Sequence, residues 1–249
     1  MMMVTEAGFD VAGSVETLQV ARRITVDEGE TLTQAAFRSL RDDIIRGVRA
    51  PGERLRIERL KQIYAIGPTP IREALQRLSS ERLVIAEGNR GFTVAPLDYG
   101  EFTDLNVART DVELAALRRS IENGDDAWEA GVVAASHIMK KEDAAVAAGS
   151  DGVPDSWEKA NVDFHTALVA ACGSDWLLHI RAGLQDMCER YRRASVSRVR
   201  EERRLGAEHQ EIFEAVIARQ TERACTLIRE HFELTARNLS VGGAGRRDG

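Results

Sequence analysis

Long hydrophobic runs and paired cysteines are both scarce in this sequence of 249 residues. Its longest apolar runs, such as residues 167–172, are far shorter than the roughly 20 residues that a membrane-spanning helix needs. The N-terminus shows no basic segment followed by an apolar one, so a secretory signal is not expected and the cytoplasm is the expected location. Three widely spaced cysteines without a CxxC pair argue against a disulfide framework and a thiolate zinc cluster.

The charge of the chain is distributed unevenly. Residues 31–97 contain twelve Arg or Lys against seven Asp or Glu, a surplus of five positive charges, so the rest of a chain with net charge −6 carries −11. A basic segment beside an acidic remainder indicates that one part of the protein meets a polyanion such as nucleic acid. An unevenly charged solvated surface is the alternative that charge alone leaves open.

The N-terminal third combines helical and β-type periodicity. Apolar spacing predicts three helices, and the third has Thr69 as its predicted cap and Pro70 in its first position. Two short β-prone runs, Val84–Ala86 and Phe92–Ala95, flank the turn-forming sequence EGNRG. The order of helix, helix, tight turn, helix and hairpin is typical of a winged helix-turn-helix, here over residues 31–97.

The remainder of the chain is almost purely helical. Turn-forming breaks predict about six helices over residues 101–239, and flexible tails are expected at residues 1–30 and 240–249. The predicted fold class is therefore mainly α, with an N-terminal winged helix-turn-helix followed by an all-helical bundle.

The third helix of the basic segment is the candidate reader of DNA. Its apolar residues face inward, which leaves Thr69, Arg72 and Gln76 facing outward, and an arginine there can bind guanine or a phosphate. Arg90 and Gly91 lie at the predicted tip of the wing, where they can approach the minor groove or the backbone. Each arginine alone is compatible with an ordinary surface charge, whereas the ordered set favours binding to a double-stranded DNA operator.

The helical part has polar residues at positions where spacing predicts core. Arg109 lies within the predicted apolar stripe of the first long helix, and a buried guanidinium needs a partner. Glu113, one turn on, is one candidate partner, and a ligand carboxylate held by two hydrogen bonds is the other. The stripe consists of Leu105, Ala108, Val112 and Ala116.

Three histidines from three predicted helices also fall on apolar faces. His165 has Asn161 one turn before it, and His209 and His231 lie in the two last helices. A single inward histidine is usually a core residue with its hydrogen bonds satisfied. Three of them with a neighbouring amide instead indicate a divalent metal site inside a helical bundle.

The basic segment resembles the DNA-binding domain of the GntR family of bacterial transcription regulators. The motifs that carry the resemblance are a PGxxL turn in PGERL, the TPIREAL helix and the wing sequence RGFTV. The resemblance implies DNA contacts for Thr69, Arg72, Arg90 and Gly91. Gly67-Pro68 stand where the family commonly has Ser-Arg, so one DNA-contacting arginine is missing.

The helical part resembles the FCD domain of the FadR subgroup of that family. Arg109 and Glu113 match its Arg-x-x-x-Glu element, and Asn161, His165 and two later histidines match its metal-binding positions. The resemblance implies a divalent metal ion, most often zinc-like, that helps to hold a small carboxylate effector. The family usually has Asp where this chain has Asn161, and a neutral amide implies weaker metal binding or one ligand fewer.

Shorter strings suggest a branch of the family and further site residues. GDDAWE, AACGSDWLL and CERYRR resemble the branch that contains glutarate-responsive repressors, which implies a short dicarboxylate effector. Tyr191 and Arg192 are candidates to line the same site, although an exposed surface position is the alternative for Arg192.

Together these features predict a homodimeric repressor that is released from its operator by an effector. One alternative is a metal-dependent hydrolase or lyase that uses the three histidines, but such an enzyme leaves the winged domain without a purpose. A second alternative is a constitutive architectural DNA-binding protein, which predicts no inward cluster of polar residues.

Overall fold

The computed structural model describes residues 24–88, 91–149, 154–194 and 204–244. Within these ranges the chain is mainly helical, as predicted, and its three short strands all lie in the N-terminal part. In chain order the elements are α1 (Leu32–Ile45), β1 (Arg54–Leu55), α2 (Ile57–Tyr64), α3 (Pro68–Ser80), β2 (Val84–Ala86), β3 (Phe92–Val94), α4 (Tyr99–Asn123), α5 (Asp126–Ala147), α6 (Asp155–Val169), α7 (Asp175–Ala194), α8 (Leu205–Ile217) and α9 (Thr221–Ala244).

The N-terminal domain is a winged helix-turn-helix. Thr31 and Gln34 begin α1 with a capping box, in which each side chain bonds the backbone of the other residue. The three helices and the sheet share one apolar core. The antiparallel sheet has the order β1-β3-β2, with Val84 opposite Val94. β1 was not predicted, because a strand of two residues is too short to show alternation.

The recognition helix begins earlier than the sequence predicted. Pro68 is its first residue and Gly67 its cap, whereas Thr69 was the predicted cap. Proline lacks the N–H that a first-turn residue leaves unbonded, so Pro68 suits the first position as well as Pro70 does. Thr69 therefore lies within the first turn, and its exposed side chain is not used as the cap.

Both predicted tails are shorter than expected where the structure describes them. Arg38 donates to the carbonyl oxygen of Thr25 at 2.9 Å, so the chain just before α1 packs on that helix. At the other end α9 continues to Ala244, because glycines lower helix propensity by about 1 kcal/mol each without forbidding a helix. Residues 1–23 and 245–249 lie outside the described ranges.

The six helices from α4 to α9 form the predicted bundle. Its main core is built from α4, α5, α6, α8 and α9, and all three cysteines are buried and free. No helix in the described ranges combines the length and the hydropathy that a membrane crossing requires.

The buried face of α4 differs from the predicted stripe. Ala108 is exposed, and Leu105 and Val112 are half-buried. Because α7 and α9 both pack on α4, its inward face is displaced toward Phe102, Asn106, Arg109, Glu113 and Leu117.

Helix α7 contacts both domains. Its Met187 packs against the N-terminal core, and Asp186 accepts a 2.5 Å hydrogen bond from Arg41 of α1. Arg190 donates to the backbone carbonyl of Ala95, which follows the wing. α7 thus makes several of the contacts between the bundle and the DNA-binding domain.

Candidate functional site

The exposed face of α3 presents the predicted DNA-contacting side chains. Thr69, Arg72 and Gln76 are exposed, whereas the apolar side of α3 is fully buried. Arg77 is different, because its guanidinium lies 4.0 Å from the centre of the Phe37 ring and so packs on α1. The structure therefore leaves Arg72 and Gln76, one turn apart, available on the surface of the recognition helix.

The wing is described only in part. Arg90 lies outside the described residues, and Gly91 closes the turn by accepting a 2.9 Å bond from the amide of Glu87. Gly91 has φ +101°, a conformation that other residues rarely adopt, so glycine is required there. The sequence prediction did not single out Arg56, which is exposed at the start of α2 and adds positive charge to this domain.

Three histidines converge inside the bundle. His165 of α6, His209 of α8 and His231 of α9 are 1%, 3% and 6% exposed. Each offers a ring nitrogen, and these three atoms lie within 4.8 Å of one another. The two other histidines, His137 and His179, are exposed.

Two carboxylates orient two of these rings. Asp143 Oδ2 lies 2.7 Å from His209 Nδ1, and Glu208 Oε2 lies 2.7 Å from His231 Nδ1. The Trp157 indole donates to the other oxygen of Asp143 at 2.9 Å and holds that carboxylate in place. A carboxylate on Nδ1 fixes the proton there and directs the Nε2 lone pair toward the cluster, as is usual for metal-binding histidines.

Among the described residues, His165 has no such carboxylate partner. Both of its ring nitrogens are buried and bond no group in that part of the chain, and the same holds for Nε2 of His209. Burial, followed by the neighbouring His231 and Arg109, lowers the pKa of His165 well below its ordinary value. Neutral imidazoles with unused lone pairs at this spacing fit a divalent transition metal. Asn161 is buried one turn before His165 on the same helix.

The pairing of Arg109 with Glu113, one of the two alternatives for Arg109, is absent. Arg181 of α7 instead binds both oxygens of Glu113, at 2.8 and 3.1 Å. The guanidinium of Arg109 lies over Phe232 of α9, 3.9 Å from the ring centre, and its Nε has no hydrogen-bond partner among the described residues. Burial lowers the pKa of Arg109, which reflects the cost of its unpaired charge.

Arg192 and Tyr191 occupy two different environments. Arg192 is buried and pairs with Glu158 of α6 at 3.1 Å, so it is not the surface residue of the alternative interpretation. Tyr191 stacks on Phe102 with ring centres 4.6 Å apart, in a small core that also contains Cys188 and Ala236. Tyr191 thus packs against α4 and is not part of the histidine cluster.

Sequence reasoning missed several of the buried polar residues. Asp143, Arg181, Gln185 and Glu158 are all at most 7% exposed. A signal was present, since Asp143 lies four residues after the buried Met139 and therefore on the same helical face.

Two family models match separate parts of the chain. The model of the FCD domain matches residues 104–234, and the model described as bacterial regulatory proteins, gntR family, matches residues 32–94. The chain belongs to the GntR family. The two matched segments cover the basic winged domain and the helical bundle.

Two proteins of similar sequence support the same assignment. The HTH-type transcriptional repressor GlaR of Escherichia coli is 40% identical over 199 residues, which cover 78% of this chain and 90% of GlaR. The uncharacterized HTH-type transcriptional regulator BphR of Paraburkholderia xenovorans is 36% identical over 221 residues, covering 89% of this chain and 90% of BphR. This GntR-family protein is a DNA-binding transcriptional regulator, and the hydrolase or lyase alternative is set aside.

Solved structures show the same fold. A GntR-type putative transcriptional regulator from Rhodococcus sp. RHA1 has a TM-score of 0.69 at 24% identity, covering 84% of this chain and 97% of its own. McbR of Escherichia coli has a TM-score of 0.66 at 20% identity, covering 86% of this chain and 98% of its own.

Proposed function

We propose that this regulator is a cytoplasmic, homodimeric repressor released from its operator by a small carboxylate effector, which binds beside a divalent metal ion. Zinc is the first candidate for that metal, and a short dicarboxylate is the first candidate for the effector. The observation that carries the proposal is the convergence of three buried histidines near a buried arginine that no carboxylate of the described ranges bonds.

The metal would be held by His165, His209 and His231. Asn161 can supply a neutral amide oxygen, and Asp143 is the outer carboxylate that orients His209. Three protein nitrogens leave coordination positions open, and a bound divalent ion would supply a positive charge that attracts a carboxylate oxygen.

Arg109 is the proposed anchor for a carboxylate of the effector. Glu113 does not occupy it, because Glu113 is bound to Arg181. In this proposal Glu113 and Arg192 take supporting roles, since each is committed to a buried ion pair between helices. A dicarboxylate can place one end at the metal and the other at Arg109.

Helix α7 connects this region to DNA binding. Arg181 and Arg192 face the bundle, while Asp186 and Arg190 bind the DNA-binding domain. In this proposal a displacement of α7 on effector binding moves the domain that carries α3, and that movement couples the two sites.

The proposed dimer would place two α3 helices on the half-sites of a pseudo-palindrome. Trp176 and Ile180 lie one turn apart on α7 and are 76% and 46% exposed, so this apolar pair is a candidate part of the dimer contact.

The test starts from an operator that the protein itself selects from a pool of random-sequence duplexes. Fluorescence anisotropy of that DNA should fall when glutarate is added to zinc-loaded protein, and a chelator should shift the release to higher glutarate concentrations. DNA that stays bound with every C4–C6 carboxylate tested, with and without zinc, would count against a carboxylate effector.

Arg72→Ala is expected to weaken operator binding by about 10- to 100-fold at fixed salt, because one arginine–guanine contact contributes about 1–3 kcal/mol. Arg229→Ala, an equal loss of charge on the exposed face of α9, is the matched control and should leave affinity near wild type. Equal affinities of the two variants, measured by anisotropy on the same operator, would show that Arg72 does not read DNA.

Asp143→Asn is expected to weaken zinc binding by about 10- to 100-fold, the usual effect of removing an outer carboxylate from a metal-binding histidine. Glu142→Gln makes the same charge change one residue away, where the side chain bonds Ser156 and not a histidine. Competition against a chromophoric chelator measures both. Similar zinc affinities for the two variants contradict the assigned role of Asp143.

A further inference from the structure

Two buried polar residues, one on α4 and one on α7, lie at the same level of the contact between these helices. The pairs Arg181–Glu113 and Tyr191–Phe102 show that the two helices run antiparallel. One turn beyond the first pair, α4 presents Arg109 and α7 presents Gln185, so these residues lie opposite each other. Nε of Arg109 and Oε1 of Gln185 are both buried, and neither has a hydrogen-bond partner within residues 24–88, 91–149, 154–194 and 204–244.

The charged neighbours of these groups are already paired. Arg181 bonds Glu113 and also Thr166 Oγ1 at 3.2 Å, and Arg192 bonds Glu158. Gln185 itself is 2% exposed, and Cys188, one turn further along α7, is 1% exposed. Within the part of the chain that the structure describes, this cluster therefore combines one cation without a carboxylate partner and one amide oxygen without a hydrogen-bond donor.

We propose that Gln185 is a specificity-determining residue of the effector site, where its Oε1 accepts a hydrogen bond from a hydroxyl group of a carboxylate held by Arg109. The inference rests on the proposed function and narrows the effector to a hydroxy-substituted carboxylic acid. A second carboxylate cannot fill this role, because an ionised carboxylate has no hydrogen to donate.

The cost of leaving Oε1 of Gln185 without a hydrogen bond favours a ligand-binding role for this residue over a structural one. An amide that ties two helices together makes hydrogen bonds in the ligand-free protein, whereas Oε1 of Gln185 makes none with any described residue. Replacing an unsatisfied buried polar group with an apolar group of similar shape is neutral or stabilising. A site with such an acceptor also discriminates against an analogue that lacks the donor.

The test compares matched acids on the full-length, zinc-loaded protein by isothermal titration calorimetry. The probes are succinate and malate, glutarate and 2-hydroxyglutarate, and adipate and 2-hydroxyadipate, each hydroxy acid as separate enantiomers. Wild type should bind one hydroxy acid about tenfold or more tightly than its unsubstituted partner. Gln185→Met should lose that preference, and Gln62→Met, on the exposed surface of α2, should keep it.

Melting of the ligand-free proteins separates the two roles of Gln185. The inference expects Gln185→Met to melt no lower than wild type, and a clearly lower midpoint would overturn it in favour of a structural role. Equal binding of hydroxy and unsubstituted acids by wild type overturns the inference and leaves the carboxylate effector standing. If wild type binds none of these acids, with or without zinc, both the role of Gln185 and the proposed carboxylate effector are overturned.

Discussion

Alanine in place of His165 is expected to leave the purified protein with almost no bound zinc, whereas wild type should hold about one ion per chain. Loss of a direct ligand should weaken binding by more than the roughly 10- to 100-fold that an outer carboxylate contributes. His165 is also the one histidine of the three whose ring nitrogens both lack a hydrogen-bond partner among the described residues, so its single lone pair is free to bind a metal ion.

His179→Ala is the matched control, because His179 is exposed on α7 beside Trp176 and lies outside the cluster. Elemental analysis gives the stoichiometry, and thermal melting with added zinc gives the affinity, since a ligand that binds only the folded state raises its stability. Zinc content and zinc-induced stabilisation that are the same in both variants would rule out the three-histidine site.

The sequence predicted the buried side of a helix more accurately than it predicted the contacts between helices. The inward positions of His165, His209 and His231 follow from helical spacing, and the structure brings these residues together. The actual partner of Glu113 was not predicted, because spacing within α4 offers only Arg109, one of the alternatives that the sequence left open. Arg181 is 68 residues away, and only the packing of α7 on α4 brings it close.

The same reasoning explains why Asp143 and Gln185 were missed. Asp143 is 66 residues from His209, and its role depends on how α5 packs against α8. Gln185 is an ordinary helix residue by composition, and its significance comes from an unsatisfied oxygen that only the folded chain shows. The start of α3 was predicted two residues too late, because Pro68 and Pro70 suit the first position of a helix equally well.

A buried charge without a partner makes Arg109 the most informative residue of the effector site. Burying an ion costs hydration free energy unless a counter-charge offsets the loss. No described carboxylate bonds this guanidinium. The ligand-free protein therefore carries a charge whose cost an anionic ligand can offset. Binding energy of this kind is available to shift α7, because it is gained only when the effector is present.

Arg109→Met is expected to abolish effector-induced release of DNA while operator affinity without effector stays near wild type. Loss of one partner from a buried charge pair costs about 2–5 kcal/mol, so effector binding should weaken on the order of 100-fold or more. The ligand-free variant should be as stable as wild type or more stable, because an apolar side chain of similar length replaces an unpaired buried charge.

Arg181→Met supplies the contrast, since it removes an arginine from the same region but leaves Glu113 buried and unpaired. That variant should lose about 3–5 kcal/mol of folding free energy, the usual cost of breaking a buried pair. Urea unfolding of both proteins measures stability, and anisotropy with increasing glutarate or 2-hydroxyglutarate measures release. Destabilisation of Arg109→Met to the same degree as Arg181→Met, with effector response retained, would mean that Arg109 is a structural residue and that the effector carboxylate binds elsewhere.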